Sequence, residues 1–217
     1  MGGSRGFMLN YLQWTVKELF DRTASAEPEP GGGGVCAMTG GLACGLLAMV
    51  ARITSGKEKY RDVEVEIQEI LGAIEGQREK LQDLARQDME AFQQFMAALA
   101  MPRETEEQKA AREKSKQQAA LLSAGVPLDI AAACVENLEL AARLASLGSK
   151  LAISDVGVGT HLLEASLKGA LVMVEANLPY LQDRQVVYHL AAEKERLALR
   201  GEELCRNVLE TVKTRMK

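Results

Sequence analysis

From Arg61 to Met101 the apolar residues of this chain return every three or four positions, with no proline among them. Val63, Ile67, Ile70, Leu71, Ile74, Leu81, Leu84, Phe92, Phe95, Met96 and Leu99 hold mostly to that spacing, the period of one face of an α-helix. One long helix is expected, about 60 Å if uninterrupted, with Gly72 and Gly76 as the places where it would kink. No stretch of the chain shows a convincing strand alternation.

The rest of the sequence reads as further helices. FMLNYLQWTVKELFDRT puts Leu9, Leu12, Val16 and Leu19 on one stripe. Pro102 ends the long helix, and ETEEQKAAREKSKQQAALLSAG restarts with acidic residues in its first turn, where the helix dipole favours them. VPLD is read as the next break. IAAACVENLELAARLASLG follows and stops at Gly148, a natural C-terminal cap. Ser154 is read as the N-cap of a helix running to about Pro179, and Asp183 as the cap of the last one. About seven helices, short connections and only 4% aromatic residues point to an all-α, single-domain bundle over residues 1–217. No internal repeat is evident, and Ala24–Gly34 is too short for an interdomain linker.

Charge and composition exclude several classes. A net charge of −4 with 26% charged residues does not suit a nucleic-acid binder. The start, MGGSRGF, has no apolar signal core, and Gly6 stands where a myristoylation pattern needs Ser or Thr. Val35–Ala51, the most apolar run, falls short of the roughly 20 residues of a membrane span and is diluted by Thr39, Gly40, Gly41 and Gly45. A soluble, cytoplasmic protein is expected. Cys36, Cys44, Cys134 and Cys205 lack paired spacing, and only His161 and His189 could assist them. Neither a metal site nor a disulfide framework follows, and reduced, buried thiols are expected.

The glycines at Gly31–Gly34 need a separate account. A phosphate-gripping loop requires Lys followed by Ser or Thr, but Gly56-Lys57 is followed by Glu58. A dinucleotide fingerprint requires a strand and a β-α-β unit. What remains is a proline-held approach, through Pro28 and Pro30, into a helix whose first amide groups have no internal partner. Such an end can hold an anion or a carbonyl oxygen; a tight turn with a close helix crossing explains the glycines equally well.

Two more stretches stand out. In AISDVGVGTHLLEASLKGALVMVEANLPYL, capping accounts for Ser154 and Asp155 but not for Gly157 and Gly159 so early in a helix, each costing up to about 1 kcal/mol against alanine. In RQDMEAFQQFM, Asp88 shares a helix face with Phe92, Phe95 and Leu84. A carboxylate there is either paired, with Arg86 or a lysine, or raised in pKa, and the second state suits acid–base work near neutral pH.

Taken in order, Pro30-Gly31-Gly32-Gly33, Thr54-Ser55-Gly56-Lys57 with Lys59-Tyr60, Asp88-x-x-Ala91-Phe92 and Ser154-Asp155-Val156-Gly157-Val158 resemble the formiminotetrahydrofolate cyclodeaminase and methenyltetrahydrofolate cyclohydrolase family. The resemblance runs from the first helix to about Leu181. The chain departs from the family in having Gly34 where a Ser is usual and Met173-Val174-Glu175-Ala176-Asn177-Leu178 where N-V-x-I-N-L is frequent. Asn residues common just before the Ser-Asp pair are also missing.

The resemblance implies an all-α homodimer acting on the one-carbon bridge between N5 and N10 of tetrahydrofolate, with no permanently bound cofactor and no metal. Hydrolysis of the methenyl bridge to 10-formyltetrahydrofolate is the preferred reaction, because no transferase domain accompanies the chain. Deamination of 5-formiminotetrahydrofolate, with a separate formiminotransferase or a methylenetetrahydrofolate dehydrogenase as partner, is the alternative, and a noncatalytic folate-binding or scaffold protein a further one. Asp88 and Asp155 are the candidate catalytic carboxylates. Pro30, Gly31, Gly32, Gly33, Gly34, Ser154, Gly157 and Asn177 are candidates for holding the substrate, with Phe92 or Tyr60 stacking on the pterin and Lys57 and Lys59 on the glutamate tail.

Overall fold

The computed structural model describes residues 11–26 and 29–217. Among them the regular elements are all helical: α1 (Val16–Thr23), α2 (Gly32–Thr54), α3 (Glu64–Ala100), α4 (Glu106–Leu147), α5 (Ile153–Asn177) and α6 (Arg184–Arg215), joined by short 3-10 turns. Leu9 and Pro28 lie outside the described residues. The first expected helix is reduced to a 3-10 turn and the short α1, opened by a capping box between Thr15 and Glu18. Leu12 and Val16 of its expected stripe are exposed, and α1 buries no residue.

Six helices replace the expected seven because VPLD does not break the chain: α4 continues through Pro127 for 42 residues. A proline inside a helix removes one N–H donor and costs about 3 kcal/mol against alanine. The carbonyl stripped of its donor lies four residues earlier, at Ser123, and it receives the Asn177 Nδ2 amide of α5 at 2.8 Å. A side chain from a neighbouring helix thus replaces the missing bond, information the local sequence of α4 does not carry. α3 likewise runs unbroken through Gly72 and Gly76, and Met101 and Pro102 end it where expected.

Helices α2, α3, α4 and α5 form an antiparallel ring, and α6 lies along α4 and α5. Direction follows from the pairings of α2 with α5. The Cys36 carbonyl accepts from Ser166 Oγ, Leu47 packs on Gly159, and Thr54 Oγ1 accepts the Ser149 N–H just before α5. Leu47, Ile67, Ile70, Ile74, Leu81, Ile130, Leu138, Leu144, Leu163 and Leu167 fill the centre; truncating one to alanine costs about 2–5 kcal/mol. Glycine permits the closest crossing: a Cβ on Gly201 of α6 would stand 2.1 Å from Leu167 Cδ2 of α5.

Asp183 caps α6 as expected, accepting from the Gln185 and Val186 amides. Ser154 does not cap α5. The helix starts two residues earlier than that cap requires, at Ile153, after the non-capping Ala152, and Ser154 is exposed within its first turn. Cys44, Cys134 and Cys205 are buried free thiols and Cys36 is half-buried. By length and composition alone α2 and α4 would suffice to cross a membrane, longer than the sequence reading allowed, but half or more of each apolar window is buried inside the bundle.

Candidate active site

The N-terminus of α2 is bare backbone. Gly31 is the N-cap, extended and without a side-chain hydrogen bond, so the first amides of the helix look outward. An acid from another helix meets them: Asp88 of α3 accepts the Gly34 N–H. Its carboxyl packs so tightly on the glycines that a Cβ on Gly33 would lie 2.1 Å from Asp88 Oδ1. Burial raises the Asp88 carboxyl above its ordinary pKa, and the Gly34 hydrogen bond offsets this only in part. Among the described residues no ion pair to Asp88 is formed; Arg86, its expected partner, bonds Asp83 and Glu90 instead.

Around this acid lies a cavity of about 350 Å³. Glu29, Gly31 and Gly32 form one edge; Asp88, Met89, Phe92 and Phe95 of α3 form the wall; Ser123 of α4, Met173 and Asn177 of α5, and Tyr180 close it. Phe95 and Tyr180 meet edge to face with centroids 5.2 Å apart. Gln93 Nε2 holds the Glu29 carboxylate at 2.9 Å. A larger hollow of about 530 Å³ between α5 and α6 is more open, and three of its charged groups are already paired, Lys194 with Glu175 and Lys168 with Glu164. It therefore lacks the buried acid that makes the smaller cavity chemically interesting.

The structure gathers Gly31, Gly32, Asp88, Phe92 and Asn177 around one cavity, with Gly33 and Gly34 beneath Asp88 and the buried Pro30 against Gly34. It separates the others. Lys57, Lys59 and Tyr60 line a groove with Ser149, Lys150 and Leu151 at the opposite end of α2. Tyr60 takes hydrogen bonds from Ser149 and from the Lys150 N–H, which lower its phenol pKa. Asp155 sits near that end too. Gly33 touches Asp88 and Leu47 touches Gly159; the stretch of α2 between them rises roughly 20 Å. Asp155, one turn before Gly159, is farther still from Asp88 within the protomer. A Cβ on Gly157 would stand 3.2 Å from Val212 Cγ1 of α6, and Gly159 faces Leu47 and the Ala43 carbonyl. Helix packing thus accounts for the paired glycines that capping left unexplained.

Asn177 has both amide hydrogens engaged, on the Ser123 and Met173 carbonyls. The sequence reading missed Glu29, Met89, Ser123, Met173 and Tyr180 as cavity residues. Phe95 was legible as a neighbour of Asp88, one stripe position beyond Phe92. Ser123 carries no local signal, because only the crossing of α4 over α5 brings it there.

Residues 15–196 match the family described as formiminotransferase-cyclodeaminase. A methenyltetrahydrofolate cyclohydrolase from Methylorubrum extorquens is 36% identical over 202 residues, covering 93% of this chain and 97% of that protein. A formimidoyltransferase-cyclodeaminase from Sus scrofa is 26% identical over 84% of this chain, which spans about a third (33%) of that longer protein. Among solved structures, a formiminotetrahydrofolate cyclodeaminase from Thermotoga maritima superposes with a TM-score of 0.85 at 32% identity, covering 94% of this chain and 98% of that one. Helix order, the glycine-bound acid and these similarities lead to one conclusion: the chain belongs to the formiminotransferase-cyclodeaminase family.

Proposed function

We propose that this protein is a methenyltetrahydrofolate cyclohydrolase that works without a resident cofactor in the cytoplasm, with Asp88 as its acid–base group. The observation that carries the reading is the Asp88 carboxyl, lifted in pKa by burial and held against the open N-terminus of α2 inside an aromatic-walled cavity. The full-length similarity to a cyclohydrolase supports this choice of reaction.

The substrate is a cation whose charge is shared by N5, the bridging carbon and N10. Phe92, Phe95 and Tyr180 offer flat faces and ring edges to the pterin, and an aromatic face favours a cation lying over it. Water attacks the bridging carbon while Asp88 accepts its proton, giving a tetrahedral carbon that bears a hydroxyl. The C–N5 bond then breaks. Asp88 returns its proton to N5 as that bond breaks and then takes the hydroxyl proton, which it releases to solvent, and the formyl group stays on N10. The leading amides of α2 supply donors for the oxygen as it becomes a carbonyl. A carboxyl with a raised pKa suits this shuttle because it both takes and returns a proton near neutral pH.

Formiminotetrahydrofolate deamination is the second reading, favoured by the 32% identical cyclodeaminase structure. It passes through the same kind of tetrahedral carbon, with ammonia leaving. Near-ultraviolet absorbance separates the two. Enzyme-accelerated loss of the methenyl band supports hydrolysis, and its appearance from the formimino compound with ammonia release supports deamination. Acceleration of neither would sink both.

The functional unit we propose is a homodimer. On α2, Val35, Leu42 and Met49 recur every seventh residue, and alongside it Leu151, in the turn just before α5, and Val158, Ala165 and Val172 of α5 do the same. Leu42 is 69% and Leu151 91% exposed. Two neighbouring apolar stripes at this spacing suit a second pair of helices. Light scattering should give a dimer mass for the wild type and a monomer for Leu42→Arg; a monomeric wild type would refute the assembly.

A further inference from the structure

Pro127 lies in the middle of α4, away from the glycines and the acid, yet its missing N–H reaches the cavity. It leaves the Ser123 carbonyl without a helical donor, and Asn177 Nδ2 fills that place at 2.8 Å. The second hydrogen of the same amide goes to the Met173 carbonyl, also at 2.8 Å. Both partners are carbonyl oxygens, so the amide cannot be turned round: the nitrogen must face them. Its oxygen is then the group's remaining hydrogen-bonding atom, and it can only accept. Ser123, Met173 and Asn177 all border the cavity that holds Asp88.

We propose that Pro127 is a positioning residue for substrate recognition: by freeing the Ser123 carbonyl it locks the Asn177 amide so that the cavity is offered an acceptor, which reads an N–H donor on the bound ring. Pterin rings carry such donors in their amino group and ring N–H, so this deepens the folate reading above and rests on it. Without the proline, residue 127 would return an N–H to Ser123. That N–H would compete with Asn177 for the Ser123 oxygen and weaken one of the amide's two anchors, so the orientation that presents its oxygen would be held less firmly. A purely structural proline predicts the reverse pattern, in which replacement alters stability and leaves recognition alone.

The test is a kinetic cycle on the full chain with methenyltetrahydrofolate: wild type, Pro127→Ala, Asn177→Ala and the double variant, with Pro127→Ser as a second replacement that also restores the N–H. For both proline replacements KM should rise about three- to tenfold, the range of one hydrogen bond to a ligand. The kcat should stay within about twofold and Tm should hold or increase, because the helix regains a bond. In the Asn177→Ala background the proline replacement should add nothing to KM. An unchanged KM in both proline variants of an active enzyme, or additive effects in the double variant, would overturn the positioning role while leaving the function intact. A wild type that accelerates neither folate reaction overturns the functional reading first, and the ligand role falls with it.

Discussion

The two ends of α2 present opposite surfaces to solution. At the N-terminal end, three successive glycines present helix amides to the half-buried Asp88 carboxyl, beside aromatic side chains. At the C-terminal end, Gly56 turns the chain with φ +72°, and Lys57, Lys59 and Lys150 surround an open groove. The same helix thus carries a desolvated acid where its dipole is positive and solvated cations where it is negative. Each end suits the charge it holds, but only the first withdraws that charge from water. Desolvation raises a carboxyl's pKa, whereas exposed lysines are screened and contribute weakly. Chemistry is therefore expected at the glycine end, and only long-range, salt-screened attraction of anions at the lysine end.

The sharpest way to break this contrast is to remove each aspartate in turn. Asp88→Asn should cut kcat by about 10²- to 10⁴-fold, the usual contribution of a general acid–base group, while Asp155→Asn leaves it within about threefold. Following the methenyl absorbance checks both, and equal losses would mean that the two ends act in one site. Next in size is Gly33→Ala. Its Cβ would meet the Asp88 carboxyl at 2.1 Å, so the acid must move, and a tenfold or greater fall in kcat is expected, roughly the cost of a misplaced catalytic group. Gly34→Ser is the control, because the nearest atoms to a Cβ there lie at 3.7–3.9 Å, an ordinary contact. That variant should fold with an unchanged Tm in a thermal melt.

A pH titration sharpens the comparison further. The folded pKa of Asp88 lies above the unfolded one, which is about 3.9. Its contribution to stability is therefore complete below that unfolded value and is lost as pH rises through the folded pKa. Denaturant midpoints should fall over that window in the wild type and fall less in Asp88→Asn. Turnover, which needs the ionised form to take a proton from water, should rise over the same window. The smallest effect belongs to the lysines: Lys57→Ala with Lys59→Ala should raise KM less than about fivefold at low salt, and the difference should vanish at high salt, as screening of exposed charges requires.

Much of the architecture was legible because helices announce themselves locally. The three-and-four spacing of Ile67, Ile70 and Ile74 marked α3, and the Asp183 cap marked α6. Asp88 was legible as a carboxylate on an apolar stripe, with Phe92 and Phe95 on the same face. The reading failed where a distant residue decides a local outcome. Pro127 looked like a break because nothing within α4 can replace its N–H; the replacement comes from Asn177, some fifty positions later. Ser154 looked like a cap because its residue type suits one, yet α5 starts two residues sooner, with Ala152 in the cap position. The glycines at 157 and 159, left unexplained by capping, marked a close approach, and what approaches them is Val212 and Leu47.

Grouping was the other gap. Order along the chain put Gly31, Lys57, Asp88 and Asp155 into one motif set, and no feature of that order says which of them share a cavity. The sequence by itself determined the helical class and the glycine-lined helix end, since both rest on residue type and short-range spacing; it carried the resemblance to the family and offered Asp88 and Asp155 as candidate acids without choosing between them. Only the tertiary structure decided that Asp88 meets Gly33 while Lys57 and Asp155 lie beyond reach in the same protomer. The physical reason is the antiparallel ring: α2 and α5 run in opposite directions, so motifs adjacent in the reading order are carried to opposite ends of a rigid helix.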